Sequence, residues 1–318
     1  MPGDAGAGCR AWVAASRVRV TVSEQAAYLA YAGGWAAVRH LPRPVAYAAF
    51  AGLADQLWRR NRSGVRRLEA NLARVLGPEA SPGDVRELSR EGMRSYMRYW
   101  CDAFRLPDWT NAELDDFEFP GIEHVLAPMQ AGRGAIVVVP HMGNWDHIGA
   151  YAARHIAPLT TVIERLRPDR LFQEFVEMRT SRGITVFGHD DPRAMDGLRE
   201  TLSRGGLVAL ISDRDLSAKG IEVPFFGQVA RFPAGAAALA IDTGAALVPL
   251  GMYWTGERNA SRAYPELTLP TQGDRAQQIR DTTAMVAAAF EPMIREHPAD
   301  WHMLQRLWVA DLDLARPA

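Results

Sequence analysis

The chain has 318 residues, 48% hydrophobic and 23% charged, with a formal net charge of -1. That length and apolar content suffice for a full core and exclude a disordered chain, and a charge so near zero gives no general argument for nucleic acid. Cys9 and Cys101 are far apart with no C-x-x-C companion, so neither a disulfide framework nor a structural zinc site is indicated and a reducing, cytoplasmic setting is expected.

Residues 1–23 read as a loose extension without the continuous apolar core of a signal peptide. The rest, 24–318, reads as one domain with a helical part (24–120) and an α/β part (121–318). Two apolar, aromatic-rich stretches, Ala26–Val38 and Val45–Leu53, are interrupted by Arg39-His40 and Pro42-Arg43-Pro44, so neither reaches the roughly 20 apolar residues that cross a bilayer. Trp58 and Arg59, Arg60, Arg62, Arg66 and Arg67 follow. This pattern suits helices lying in an anionic headgroup layer, and equally short helices of a core.

From Ser81 to Arg105 the spacing of Met93, Tyr96, Met97, Trp100 and Phe104 predicts a helix. Its stripe belongs to a core or to the wall of an apolar groove. Beyond Gly121 strands and helices alternate. Strands are expected at Gly134–Val139, Leu159–Ile163, Ile184–Phe187, Leu207–Ser212 and Ala246–Tyr253, and helices at Asn144–His155, Pro168–Ser181, Pro192–Ser203 and Pro233–Thr243. Proline near several helix starts, with Gly183 and Gly205 as C-caps, supports the boundaries. The fold class is α/β, a central, mostly parallel sheet flanked by helices.

The first strand runs into Pro140-His141-Met142-Gly143-Asn144-Trp145-Asp146. Reactive groups of parallel sheets gather at the carboxyl ends of strands, and His141 stands there. Asp146, one turn into the following helix, can hold one imidazole nitrogen and leave the other to take a proton. Asn144 or Asp146 can also cap that helix. The chain offers no adjacent serine or cysteine nucleophile, so the base would act on a hydroxyl of the substrate or on water. A metal held by His141, Asp146 and His147 is the weaker reading, because neighbouring helix residues diverge and no distant third ligand stands out.

Four ordered segments then carry a resemblance: HMGNWD at 141–146, ERLRPDRLFQEFVEMR at 164–179, SDRDLSAKGIEVPFFG at 212–227 and ALVPLGMY at 246–253. Together with the N-terminal run around 35–77, the chain resembles the lipid A biosynthesis (lauroyl/myristoyl) acyltransferase branch of the lysophospholipid acyltransferase superfamily. Within that branch it is most similar to the actinobacterial phosphatidylinositol mannoside acyltransferases, and a composition rich in Ala, Arg and Gly fits a GC-rich genome.

The resemblance implies transfer of a fatty acyl group such as palmitoyl from acyl-CoA to a mannose hydroxyl of a phosphatidylinositol mannoside. The protein would be peripheral on the cytoplasmic face of an anionic membrane, with acyl-CoA as co-substrate and no metal or other cofactor. His141 would be the general base and Asp146 its orienting carboxylate. Glu164 and Arg179 match active-site positions of the family. Arg165, Arg167 and Arg179 could pair with phosphate through their planar forks, and Asp213, Arg214, Asp215 and Glu222 are further substrate-binding candidates. Tyr96, Trp100, Phe225 and Phe226 are candidates for the acyl groove, the two phenylalanines reading equally as a buried hairpin. Another glycolipid or lysophospholipid acceptor, a thioester or ester hydrolase, and a non-catalytic lipid-binding protein remain as alternatives.

Overall fold

The computed structural model describes residues 33–35, 37–165, 169–215 and 219–312. After the helical residues 33–35 and 37–40, the described part continues with the helices α1 (Arg43–Arg59), α2 (Ser63–Leu76) and α3 (Pro82–Arg105). Ser81 and Asp84 form a reciprocal capping box at the start of α3, and Pro82 occupies its first turn, which fixes where the long helix begins. Helix α4 (Asn111–Asp115) and strand β1 (Phe117–Glu118) lead to α5 (Glu123–Gln130).

The α/β part follows as β2 (Ala135–Val139), α6 (Trp145–His155), β3 (Leu159–Ile163), α7 (Asp169–Thr180), β4 (Ile184–Gly188), α8 (Ala194–Ser203) and β5 (Leu207–Ile211). Then come the hairpin β6 (Ile221–Phe225) and β7 (Gln228–Phe232), helix α9 (Gly235–Thr243), strands β8 (Ala246–Thr255) and β9 (Arg258–Ala263), and helix α10 (Arg275–Glu296). The five strands and four helices expected beyond Gly121 all form, within a few residues of their expected ends. Strands β1 and β9 and helices α5 and α10 are not expected from the sequence, and the β6–β7 hairpin is expected only as one of two readings of Phe225 and Phe226. Strand β9 is a polar return from β8, RNASRA, without an apolar run to announce it.

Seven strands form one sheet in the order β1-β9-β8-β2-β5-β3-β4, parallel except for the β8–β9 pair. Strand β2, Ala-Ile-Val-Val-Val, is buried along its whole length, as a strand covered on both faces must be. No helix among the described residues is long and apolar enough to cross a membrane.

Candidate active site

The parallel pairing of β2 and β5 builds the centre of the site. Val139 stands opposite Ile211, and the Ser212 N–H continues the ladder to the Val139 carbonyl at 2.9 Å. Two residues beyond each strand, His141 and Asp213 therefore meet. Asp213 Oδ1 lies 2.5 Å from His141 Nδ1, and its Oδ2 accepts the His141 backbone N–H at 2.9 Å. Trp301 Nε1 donates to the same Oδ2 at 2.9 Å. Burial raises the Asp213 carboxyl, but the His141 imidazole beside it and the hydrogen bonds from His141 and Trp301 outweigh that and hold it below the ordinary carboxylate range. With an ionised carboxylate on Nδ1, that nitrogen is the donor and Nε2 is left to accept a proton.

The sequence reading gives the orienting role to Asp146. In the structure Asp146 is one turn into α6, where Arg179 Nε on α7 donates to its Oδ1 at 2.7 Å and the Tyr99 hydroxyl on α3 donates to its Oδ2 at 3.0 Å. Both carboxylate oxygens are thus held by groups facing α6, while the Nδ1 edge of His141 faces the end of β5. The carboxylate on His141 is Asp213. Burial alone would lower the Arg179 pKa, but the Asp146 charge, with Tyr99 beside it, more than compensates.

The turn carrying these groups is tightly set. Gly143 has φ +57°, and a Cβ there would lie 2.6 Å from the backbone carbon of Met252, so no other residue fits. Asn144 caps α6 by accepting the His147 N–H at 3.0 Å, and its amide donates to buried Asp102 at 3.2 Å. Asp102 in turn accepts from the Tyr47 hydroxyl at 2.7 Å. His147 is turned away from the site. Its Nε2 contacts the Leu114 carbonyl at 3.0 Å, and burial pushes its pKa down to about 4. Among the described residues no group of three or more His, Cys, Asp or Glu is placed to hold a metal ion.

His141, Asp146, Glu164, Arg179 and Arg214 line one cavity of about 330 Å³. Its floor is the face of the sheet shown by Val137, Val139, Leu159, Thr161, Ala209 and Ile211, alternate residues of three adjacent strands. Tyr96, Tyr99 and Trp100 of α3 and Trp145 and Ile148 of α6 also line it. The aromatic stripe of α3 therefore divides, with Met93 and Met97 buried in the core and Tyr96 and Trp100 facing the cavity. Arg214 is ion-paired with Glu164.

Other candidates lie elsewhere. Arg165 pairs with Asp169 and Asp190 and does not line the cavity. Arg167 is outside the described residues. Asp215 accepts the Gly220 N–H at 2.8 Å, and Glu222 on β6 pairs with Arg231 on β7, so neither reaches the cavity. Phe225 and Phe226 are buried at the tip of the β6–β7 hairpin against Trp301. They do not line the groove, because the hairpin packs onto the C-terminal segment instead of over the mouth of the cavity.

The sequence reading misses Tyr99, Trp301 and His302. The last is a buried cavity residue whose N–H donates to the His141 carbonyl at 2.7 Å, and whose pKa burial and then the His141 charge push down to about 3. Tyr99 lies next to the recognised stripe, but Trp301 and His302 carry no local pattern that would single them out.

The model of the bacterial lipid A biosynthesis acyltransferase family matches residues 16–310. The chain belongs to this family. It is 40% identical over 305 residues to the phosphatidylinositol mannoside acyltransferase of Mycolicibacterium smegmatis (strain ATCC 700084 / mc(2)155), covering 94% of this chain and 97% of that protein. It is also 40% identical over 308 residues to the protein of that name from Mycobacterium tuberculosis (strain ATCC 25618 / H37Rv), covering 94% of each. This lipid A biosynthesis acyltransferase family member presents its histidine at the carboxyl edge of the sheet, beside a cavity lined mainly by apolar side chains.

Proposed function

We propose that this protein transfers a fatty acyl group, palmitoyl among the candidates, from acyl-CoA to a mannose hydroxyl of a phosphatidylinositol mannoside. The observation that carries the reading is the His141–Asp213 pair at an apolar cavity walled by sheet and aromatic side chains. The acyl chain enters the cavity, where each buried methylene contributes about 0.8 kcal/mol. His141 Nε2 takes the proton of the acceptor hydroxyl as the oxygen attacks the thioester carbon. The tetrahedral adduct collapses with cleavage of the C–S bond, and the imidazolium returns the proton to the departing thiolate. The products are the ester and CoA thiol. Asp213 keeps Nδ1 protonated throughout, and the Asp146–Arg179 pair builds the polar wall where the acceptor's head sits.

The relatives' shared name favours the mannoside acceptor over a lipid A precursor. No metal or organic cofactor is needed, since a thiolate is already a competent leaving group.

The acceptor's location implies contact with a membrane surface, on its cytoplasmic side where acyl-CoA is made. Helix α1 supports this. Val45, Ala48, Ala49, Gly52 and Leu53 form an exposed stripe at helical spacing, Val45 51% and Leu53 40% exposed, with exposed Arg59 and Arg60 at the helix end. Apolar stripe and arginine collar suit the interface of an anionic bilayer.

The test is release of CoA thiol from palmitoyl-CoA by purified protein, with and without phosphatidylinositol mannoside in mixed micelles. Acceptor-dependent release, lost in His141→Ala, is expected. Equal release without any acceptor would make the protein a thioesterase, and transfer only to a lipid A precursor would move the acceptor assignment.

A further inference from the structure

The VPFFG segment of the third motif has no place at the cavity, yet its backbone is costly. The β6–β7 hairpin closes through two residues, Phe226 and Gly227, with φ +46° and +74°. Both central φ angles are positive, as in a type I′ turn, whose first position favours Asn, Asp or Gly. A phenylalanine there is strained by about 1–3 kcal/mol. Its ring is buried against Trp301, with centroids 6.3 Å apart, beneath the Arg295 guanidinium, and its N–H donates to Glu291 at 2.6 Å. Phe225 meets the same indole edge-on at 6.0 Å and packs on Trp308.

Trp301 is fully buried, and its indole N–H can only donate. It donates to Asp213 Oδ2, the oxygen that also receives the His141 backbone N–H. With Oδ2 held by both, Oδ1 is turned to His141 Nδ1. The same segment is locked to the motif loop by a bridge between Met142 and Trp301 and by bonds from Gly143 N–H to the Asp300 carbonyl and from His302 N–H to the His141 carbonyl.

We propose that Trp301 is a positioning residue for proton transfer at His141, fixing the Asp213 carboxylate through its indole N–H, and that the Phe225–Phe226 turn is the aromatic support that holds Trp301 there. The inference rests on the reading of His141 as the base. It gives the strained phenylalanine a purpose that an asparagine could not serve, since Asn would relax the turn but leave the indole without its wall.

Two variants test it: Trp301 replaced by β-(3-benzothienyl)alanine, in which sulfur takes the place of N–H in an isosteric ring, and Phe226→Asn. Both are expected to fold and to lower kcat roughly 10- to 100-fold through misplacement of the reacting groups, with KM for both substrates within about twofold. Losing the N–H leaves the Asp213 anion less satisfied and its hold on the imidazolium stronger, so the acid limb of kcat/KM moves to higher pH. Glu164, Asp146, Arg179, Arg214 and His302, which line the cavity with His141, are unchanged in both variants. In the substrate-free protein, the proton resonance of His141 Nδ1–H should shift in both. A folded isosteric variant with wild-type kcat, pH limb and resonance overturns the proposal, as does a loss confined to KM. If wild-type protein transfers no acyl group, the functional reading fails, while the resonance still decides the role of Trp301.

Discussion

Asp146 and Asp213 are both buried carboxylates at the end of the sheet, but they answer to different partners. Asp213 meets an imidazole and two N–H donors, whereas Asp146 meets a guanidinium and a phenol. Their variants should therefore fail differently. Asp213→Asn keeps the shape but removes the charge that stabilises the imidazolium, so kcat should fall on the order of 10²- to 10⁴-fold, with little loss of melting temperature. Asp146→Asn leaves the Arg179 charge buried without its counter-ion, which costs about 3–5 kcal/mol. Its melting temperature should fall steeply, as a thermal unfolding series of the two variants will reveal. Equal losses of kcat at unchanged stability would return the orienting role to Asp146.

At the scale of elements, the strand-to-helix turn after β2 is specified by what surrounds it. Gly143 approaches the Met252 backbone so closely, at positive φ, that Gly143→Ala combines backbone strain with a clash that neither strand can relieve. A loss of about 3 kcal/mol or more is expected, read by denaturant unfolding. Asn144→Ala removes the cap of α6 and strips a donor from buried Asp102, for a loss of about 1–3 kcal/mol. Local chemistry made much of this level legible: the valine run of β2, the Asn144 cap of α6 and the prolines at helix starts belong to neighbouring residues. The return strand β9 and the hairpin β6–β7 were harder to read because their residues are polar in β9 and strained at the hairpin turn, and the hairpin gains its place from distant partners, Trp301 and Trp308.

For the whole molecule, buried titratable groups couple folding to pH. His147 and His302 are held at about 4 and about 3 by burial, below the ordinary histidine value near 6.5. The unfolded chain therefore binds protons at these sites first, and the stability they contribute, present above about pH 6.5, is lost as pH falls toward their folded values. Asp300 runs the other way. Burial raises it to about 6, so the folded chain takes up its proton first and regains stability as pH falls toward the ordinary carboxylate range. With His147, His302 and half-buried His297 lowered by burial against Asp300 and Asp102 raised by it, melting temperature should drop between pH 7 and pH 4.5, and His147→Gln should flatten the drop. On the same scale, the exposed stripe of α1 predicts that Val45→Glu with Leu53→Glu weakens co-sedimentation with anionic vesicles while melting temperature stays within a few degrees.

Sequence alone determined the alternation of strands and helices, the histidine at the end of β2, the family, and the aromatic stripe of α3, because each is written in residues a few positions apart or in motifs of fixed order. Tertiary structure decided which carboxylate serves the histidine. His141 and Asp213 are 72 positions apart and meet only because β2 and β5 pair in parallel with Val139 opposite Ile211. Asp146, five positions from His141, is instead held by Arg179 of α7 and Tyr99 of α3. The C-terminal segment, with Trp301 on Asp213, is likewise invisible until the chain closes on itself. Proximity along the chain suggested one carboxylate partner for His141, and the register of the sheet supplied another.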